Sequence, residues 1–323
     1  MNDRREIISF LSENDGFLIA THVNPEGDAL GSAIALAMAL ESMGKKAWVF
    51  EKDPIPDFYG FLPGSERVLH SLDSLKPSSL CLVLVDCNTP MRAGLQGGAF
   101  RRSAVIDHHE TEGRFGEAKW IDPKAPATGL MIYDLVREMG VEITRDMAVN
   151  LYTAIAVDTG TFRYRNATPA AMRAAADLAE RGADPGAISE KLYESWSEAR
   201  FRLLCMTLGT LEIRDGMAMI TVTREMLKRT GTTALDTENF TGFPRLIRDA
   251  SLSAFFREDE DGAWKVSMRS KGQLNVARIA EAFGGGGHKN AAGYTISGDL
   301  ASAKERLFAE VEKQRAEAAQ GKA

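Results

Sequence analysis

The run Leu80-Cys-Leu-Val-Leu-Val85 is apolar at every position and breaks off at Asp86. A strand that exposes one face alternates apolar and polar residues. One with no polar position must be covered on both faces, as in the centre of a parallel sheet. Parallel strands need long crossovers, so this six-residue run already commits the chain to an α/β architecture. The chain supplies companions. Phe17–Thr21 and Lys46–Phe50 read as strands before it, Ser103–Ile106 follows it, and Trp120-Ile121 reads as a short edge strand. Helical stretches are expected at Arg4–Leu11, Ala33–Met43, Ala127–Met139, Arg145–Val157 and Pro169–Arg181.

The polar residues cluster where these apolar elements stop. Phe17–Thr21 is followed by His22-Val-Asn-Pro-Glu26-Gly-Asp28-Ala-Leu-Gly31-Ser32, Leu80–Val85 by Asp86, Ala104–Ile106 by Asp107-His108-His109, and Arg145–Val157 by Asp158. In open α/β sheets the crevice beyond the carboxyl ends of the strands is where ligands bind. Any one of these acids could be a helix cap or a loop residue. Asp28 as an N-cap, for instance, accounts for itself but not for His22 and Glu26 beside it.

Four carboxylates (Glu26, Asp28, Asp86 and Asp158) converging on one crevice repel one another unless cations neutralise them. Carboxylates mixed with imidazoles, without thiolates, suit Mn²⁺, Mg²⁺ or Fe²⁺. Such a set can hold two ions that share a bridging carboxylate. Two cations about 3.5–4 Å apart are the usual device for in-line attack on a phosphate ester, with a hydroxide of lowered pKa as nucleophile. His108 and His109 point to opposite sides of an extended chain, so one can ligate while the other faces substrate. Spacing alone does not say which does which.

The second half changes character. Met217–Val222, Ser251–Phe256 and Trp264–Arg269 alternate as half-buried strands do. After the helix Val276–Phe283 comes Gly284-Gly-Gly-Gly-His288-Lys289. Consecutive glycines let a backbone approach an anion and offer it N–H donors, and His288, Lys289, Arg269, Lys271 and Arg278 add positive charge. Read alone, this loop is equally well a hinge. Leu300–Lys313 reads as a closing helix and 315–323 as a solvated, frayed tail.

The 323 residues suffice for two domains, and the net charge of −6 argues against a broad basic track for long duplex nucleic acid. The N-terminus has no signal-peptide core and no apolar run is long enough to span a bilayer, so a cytoplasmic protein away from membranes is expected. Cys81, Cys87 and Cys205 form no Cys-x-x-Cys pair, which leaves reduced thiols and no structural zinc as the expectation.

Taken together, His22…Glu26-Gly-Asp28…Gly31-Ser32, Asp86, Asp107-His108-His109, Asp158-Thr159-Gly160, Arg269-Ser270 and Gly284–His288 resemble the motifs of the DHH–DHHA1 phosphoesterases. The branch most similar is that of the stand-alone bacterial nanoRNases and phosphoadenosine-phosphate phosphatases. The resemblance implies an N-terminal doubly wound parallel-sheet domain over 1–183, a helical linker over 184–211, and a smaller α/β domain with a mixed sheet over 212–318. It implies two Mn²⁺ per chain, with Mg²⁺ or another divalent ion as substitute. His22, Glu26 and Asp86 would hold one ion, and Asp28, Asp86, His108 and Asp158 the other, with Asp86 bridging.

By the same resemblance His109 would face the phosphate and Asp107 would support the histidines. Arg269, Ser270, Gly285, Gly286, Gly287 and His288 would bind substrate. The chain departs from the family at Glu26, where members usually carry Asp, while keeping a carboxylate. Expected substrates are short oligonucleotides, linear dinucleotides or a nucleoside bisphosphate such as 3′-phosphoadenosine 5′-phosphate. A cyclic-dinucleotide phosphodiesterase and a non-catalytic nucleotide sensor are the alternatives. The lack of a membrane span or sensor domain speaks against the first, and the intact acid set against the second. A homodimer is the default assembly.

Overall fold

The computed structural model describes residues 4–95, 99–109, 115–259 and 261–320. The chain divides into two compact units, Met1–Ser195 and Trp196–Ala323. The stretch read as a connector contributes one helix to each, Pro185–Tyr193 to the first and Glu198–Leu208 to the second.

The first unit is built on five parallel strands, β1 (Gly16–Ala20), β2 (Lys46–Phe50), β3 (Cys81–Val85), β4 (Arg102–Asp107) and β5 (Ala118–Ile121). Their order is β2-β1-β3-β4-β5. The apolar run that ends at Asp86 is therefore the central strand, buried along its whole length. The chain leaves β1 toward one edge and re-enters at β3 on the other side, so the reversal point lies between the carboxyl ends of β1 and β3. This is where ligand crevices form in such sheets.

Helices α1 (Arg4–Glu13), α2 (Gly27–Ser42) and α3 (Thr128–Glu138) pack on the face presented by Phe17, Ile19, Val83, Val85, Ala104 and Ile106. The opposite face, Leu18, Ala20, Leu82, Leu84 and Val105, is covered by loop side chains including Leu69, Leu72, Leu75 and Phe100. Outside α2 and α3 lies α4 (Arg145–Asp158), followed by α5 (Pro169–Glu180) and α6 (Pro185–Tyr193). Sandwiched between sheet and α4, α2 is buried over nearly its whole circumference, which its Ala-rich composition permits. A Cβ at Gly31 would fall 2.3 Å from the Asn150 carbonyl oxygen. Gly31 thus permits close contact of α2 with α4.

The second unit contains α7 (Glu198–Leu208), α8 (Arg224–Thr230), α9 (Gly242–Arg245), α10 (Val276–Glu281) and α11 (Leu300–Gln320). Its sheet runs β10-β11-β9-β8-β7-β6, from β6 (Glu212–Arg214), β7 (Met217–Val222), β8 (Leu252–Glu258), β9 (Trp264–Ser270), β10 (Gly286–His288) and β11 (Ala291–Ile296). Among the described residues of this sheet, β7 and β8 alone pair in parallel. Alternate residues of the strands face α10 and α11 on one side, through Val276, Ile279, Leu307 and Val311. On the other, Ile220, Val222 and Phe255 meet Leu203, Leu204 and Phe240. The closing helix continues to Gln320, through most of the stretch read as a frayed tail, whose last three residues lie outside the described ones.

Candidate metal centre

All the polar residues singled out in the first half meet at the carboxyl end of the parallel sheet. His22 follows β1 on a turn that the Val23 amide ties to the Arg92 carbonyl at 2.7 Å. Glu26 is the residue before α2 and Asp28 lies in its first turn. Asp86 follows β3, Asp107 ends β4 with His108 and His109 next, and Asp158 ends α4. Asp86 takes a left-handed backbone, φ 57°. That conformation costs a non-glycine residue about 1–2 kcal/mol. Such strain is characteristic of functional positions.

The side chains form two sets. Ligand atoms of His22, Glu26 and Asp86 lie within 4.8 Å of one another, and so do those of Asp28, His108 and Asp158. Asp86 faces both. Its Oδ2 lies 3.4 Å from Nε2 of His22, and its Oδ1 lies 3.5 Å from Nε2 of His108. Nε2 of His108 is also 3.7 Å from an oxygen of Asp28 and of Asp158.

Backbone carbonyls orient the two histidine rings. Nδ1 of His22 donates to the Val23 carbonyl at 3.0 Å and Nδ1 of His108 to that of Ala125 at 3.1 Å. Each ring therefore turns Nε2 toward the acids, the arrangement usual for metal-ligating imidazoles. His109 differs: its Nδ1 donates to Oδ1 of buried Asp107 at 2.6 Å, and its amide reaches the same oxygen at 3.2 Å. The order within Asp107-His108-His109, open in the sequence, is thus one imidazole toward Asp28 and Asp158 and one held by Asp107.

The electrostatics are those of a site short of positive charge. Burial first, then Asp86 and Asp158, push Asp28 well above the usual carboxylate range. Burial likewise raises Asp158 to about 7, with Glu26 and Asp86 adding to it and His108 opposing. Burial disfavours a charged imidazole at His22 and His108, but the neighbouring acids outweigh it. Asp86 and Glu26 raise His22 to about 9, and Asp158, Asp86 and Asp28 raise His108 to about 10. Asp86 resists burial through its three histidine neighbours and stays below the ordinary range. Oδ2 of Asp86 is buried and accepts no hydrogen bond of normal geometry among the described residues. Acids that resist ionisation, imidazoles trapped as cations and an orphaned carboxylate oxygen fit a divalent-cation site of oxygen and nitrogen ligands.

The structure adds residues to which the sequence reading gave no role. Asp28 caps no turn of its own helix. Its oxygens accept from the Thr128 amide at 2.8 Å and the Gly129 amide at 2.7 Å, at the start of α3, and from Ser32 Oγ at 3.1 Å. Thr128 Oγ1 donates to Oδ1 of Asp86 at 2.8 Å. Asn166 joins the Asp158 carbonyl to that of Pro126, both at 3.0 Å. Glu51, just past β2, is fully buried and accepts from Thr21 Oγ1 at 2.5 Å. Burial raises it to about 8 against the opposing effects of Thr21 and His22. Glu51 is an acid at a strand's carboxyl end, so the rule that found Asp86 and Asp107 applies to it as well.

In the second unit Arg269 and His288 both pair with Ala291, from its two sides. Residues directly opposite in a sheet share a face, so the guanidinium and imidazole stand on one side of it, a strand apart. The glycine stretch is not an open anion nest. The amides of Gly284 and Gly285 close α10 onto the carbonyls of Glu281 and Ala280, and Gly286–His288 is β10. A Cβ at Gly285 would fall 2.2 Å from the Gly293 carbonyl oxygen, and one at Gly287 2.5 Å from that of Ala291. These glycines permit close strand pairing. Ser270 is buried, and its hydroxyl donates to the Leu274 carbonyl at 2.8 Å.

A parallel sheet with acids and histidines at its reversal point, followed by a separate mixed-sheet unit, defines the DHH class of phosphoesterase. The chain belongs to this family: residues 16–155 match the DHH family N-terminal domain and residues 220–317 the DHHA1 domain. It is a hydrolase of phosphate ester bonds. It is similar to the bifunctional oligoribonuclease and PAP phosphatase NrnA of Thermus thermophilus, 38% identical over 90% of this chain and 87% of that protein. The NrnA of Bacillus subtilis is 28% identical over 96% and 97%. Among solved structures, an exopolyphosphatase-related protein from Bacteroides fragilis superposes with a TM-score of 0.86, at 28% identity and covering 96% of this chain and 95% of that one. No helix among the described residues is long and apolar enough to cross a membrane.

Proposed function

We propose that the chain is a two-Mn²⁺ phosphoesterase that hydrolyses short oligoribonucleotides, linear dinucleotides and 3′-phosphoadenosine 5′-phosphate. The observation that carries this reading is Asp86, whose two oxygens face two separate sets of acids and imidazoles. The named activities of the NrnA relatives, which match this chain over most of their length, support the substrate assignment.

His22, Glu26 and Asp86 would hold one ion, and Asp28, Asp86, His108 and Asp158 the other. Bound there, the pair would supply Lewis acidity to the phosphoryl oxygens and an acidified water. The protein's own groups do the positioning. The Val23 and Ala125 carbonyls hold the ligating imidazoles by Nδ1, so that Nε2 is the nitrogen each ring turns to the acids. Asp107 holds the His109 ring by its Nδ1 proton, and His109 meets the substrate phosphate. Arg269 and His288, on one face of the sheet with β11 between them, take the anionic end of the substrate by charged hydrogen bonds, with Ser270 bracing the turn beside Arg269. One ring and one guanidinium match a short substrate. A polymer would call for a longer basic track.

The test is a turnover panel with Mn²⁺, comparing di- to pentaribonucleotides, 3′-phosphoadenosine 5′-phosphate, linear and cyclic dinucleotides, and pyrophosphate. Hydrolysis of the short RNAs and of the bisphosphate is expected. Turnover confined to cyclic dinucleotides or pyrophosphate, or none at all, would overturn the proposal.

A further inference from the structure

The two sets of acids are joined by one residue outside both. Thr128 donates twice. Its amide goes to Oδ2 of Asp28 and its hydroxyl to Oδ1 of Asp86, each at 2.8 Å. It is fully buried at the start of α3, an eleven-residue helix.

Oδ1 of Asp28 already accepts from Ser32 and Gly129, which fills it. Oδ2 accepts one hydrogen bond, from Thr128, and retains one lone pair, on the side 3.7 Å from Nε2 of His108. Asp86 can rotate about its terminal torsion, which is soft. The Thr128 hydroxyl stops that rotation with Oδ1 toward His108, which leaves the orphaned, buried Oδ2 beside His22.

We infer that Thr128 is the positioning residue that makes Asp86 a bridging rather than a one-sided ligand, and that selects Oδ2 of Asp28 for binding. The inference rests on the two-metal reading above.

The variants separate its two donors. Thr128→Val keeps shape and amide but removes the hydroxyl, and Thr128→Ser keeps both donors. The readouts are Mn²⁺ binding to the metal-stripped protein by calorimetry and the electron paramagnetic resonance signature of a coupled ion pair. Wild type and Thr128→Ser should bind two ions with matching affinities and show the coupled signal. Thr128→Val should weaken the second binding step about 10–100-fold, the usual effect of losing a partner that orients a ligand, and lose the coupled signal. If Thr128→Val does not fold, Thr128→Ala is read in its place. Two ions bound as tightly and as strongly coupled in the hydroxyl-free variant would overturn the inference, as would equal loss in Thr128→Ser. A wild type that binds fewer than two ions would instead overturn the two-metal reading itself.

Discussion

Nδ1 of His109 donates to Oδ1 of Asp107 at 2.6 Å, whereas His108, the next residue back, turns Nε2 toward Asp28, Asp86 and Asp158. The two rings do not point to opposite sides as an extended chain would have them: they lie edge to face, centroids 5.2 Å apart, both near Oδ1 of Asp86, and their different hydrogen-bond partners give them different work. Asp107→Asn keeps the shape but removes the charge that holds the His109 proton. It should lower kcat by about 10–100-fold, the range for losing a group that orients an active imidazole. Metal content should not change. Steady-state kinetics beside metal analysis checks this, and loss of metal would place Asp107 among the ligands.

Asp86→Ala should abolish turnover on every substrate, because both sets of ligands lose a shared acid. Metal catalysis supplies several kcal/mol of charge stabilisation. A fall in kcat/KM of about a thousandfold or more is therefore expected. A variant that retains a tenth of wild-type activity on any substrate would exclude the shared role.

Loading the metal-free protein should release protons. His22, at about 9, and His108, at about 10, carry protons at neutral pH and must lose them to ligate. The proton is the competitor, so apparent Mn²⁺ affinity rises as pH rises toward these values. Calorimetry in buffers of different ionisation enthalpy measures the release directly. Affinity independent of pH between 6 and 8.5 would contradict the assignment of both rings.

Glu51 makes a prediction about stability. Its carboxyl titrates at about 8 in the folded chain against an ordinary 4.5, so the folded state binds the proton more tightly than the unfolded state. The contribution is fully present below pH 4.5 and is lost as pH rises through about 8. In metal-free protein Glu51→Gln should flatten the decline of the denaturant midpoint across that window. An unchanged slope would show that Glu51 is not its source.

His288→Ala should raise KM by about 1–3 kcal/mol worth of charged hydrogen bonding while leaving metal content at the wild-type value. The same kinetics and metal analysis decide it. Loss of metal would show that His288 belongs with the ligands.

Much of this was legible because strand ends are local. An apolar run ending in Asp86 or Asp107 announces both the strand and the polar group beyond it. Thr128 is different. In the sequence it is a small polar residue at a helix start, and its partners Asp28 and Asp86 lie 100 and 42 positions away. No period or spacing connects them; only the sheet order does. The glycine run misled for a related reason. Local flexibility reads as a loop, yet Gly285 and Gly287 are required by carbonyls of the facing strand. Gly31 likewise answers to α4, more than a hundred residues on.

The central claim is that one acid serves two cations, and metal content tests it most directly. Metal-stripped wild type dialysed against Mn²⁺ should retain two ions per chain by elemental analysis, and Asp86→Asn markedly fewer, with hydrolysis of short RNA lost in step. Two ions retained by the Asp86→Asn variant, or none by the wild type, would contradict the account.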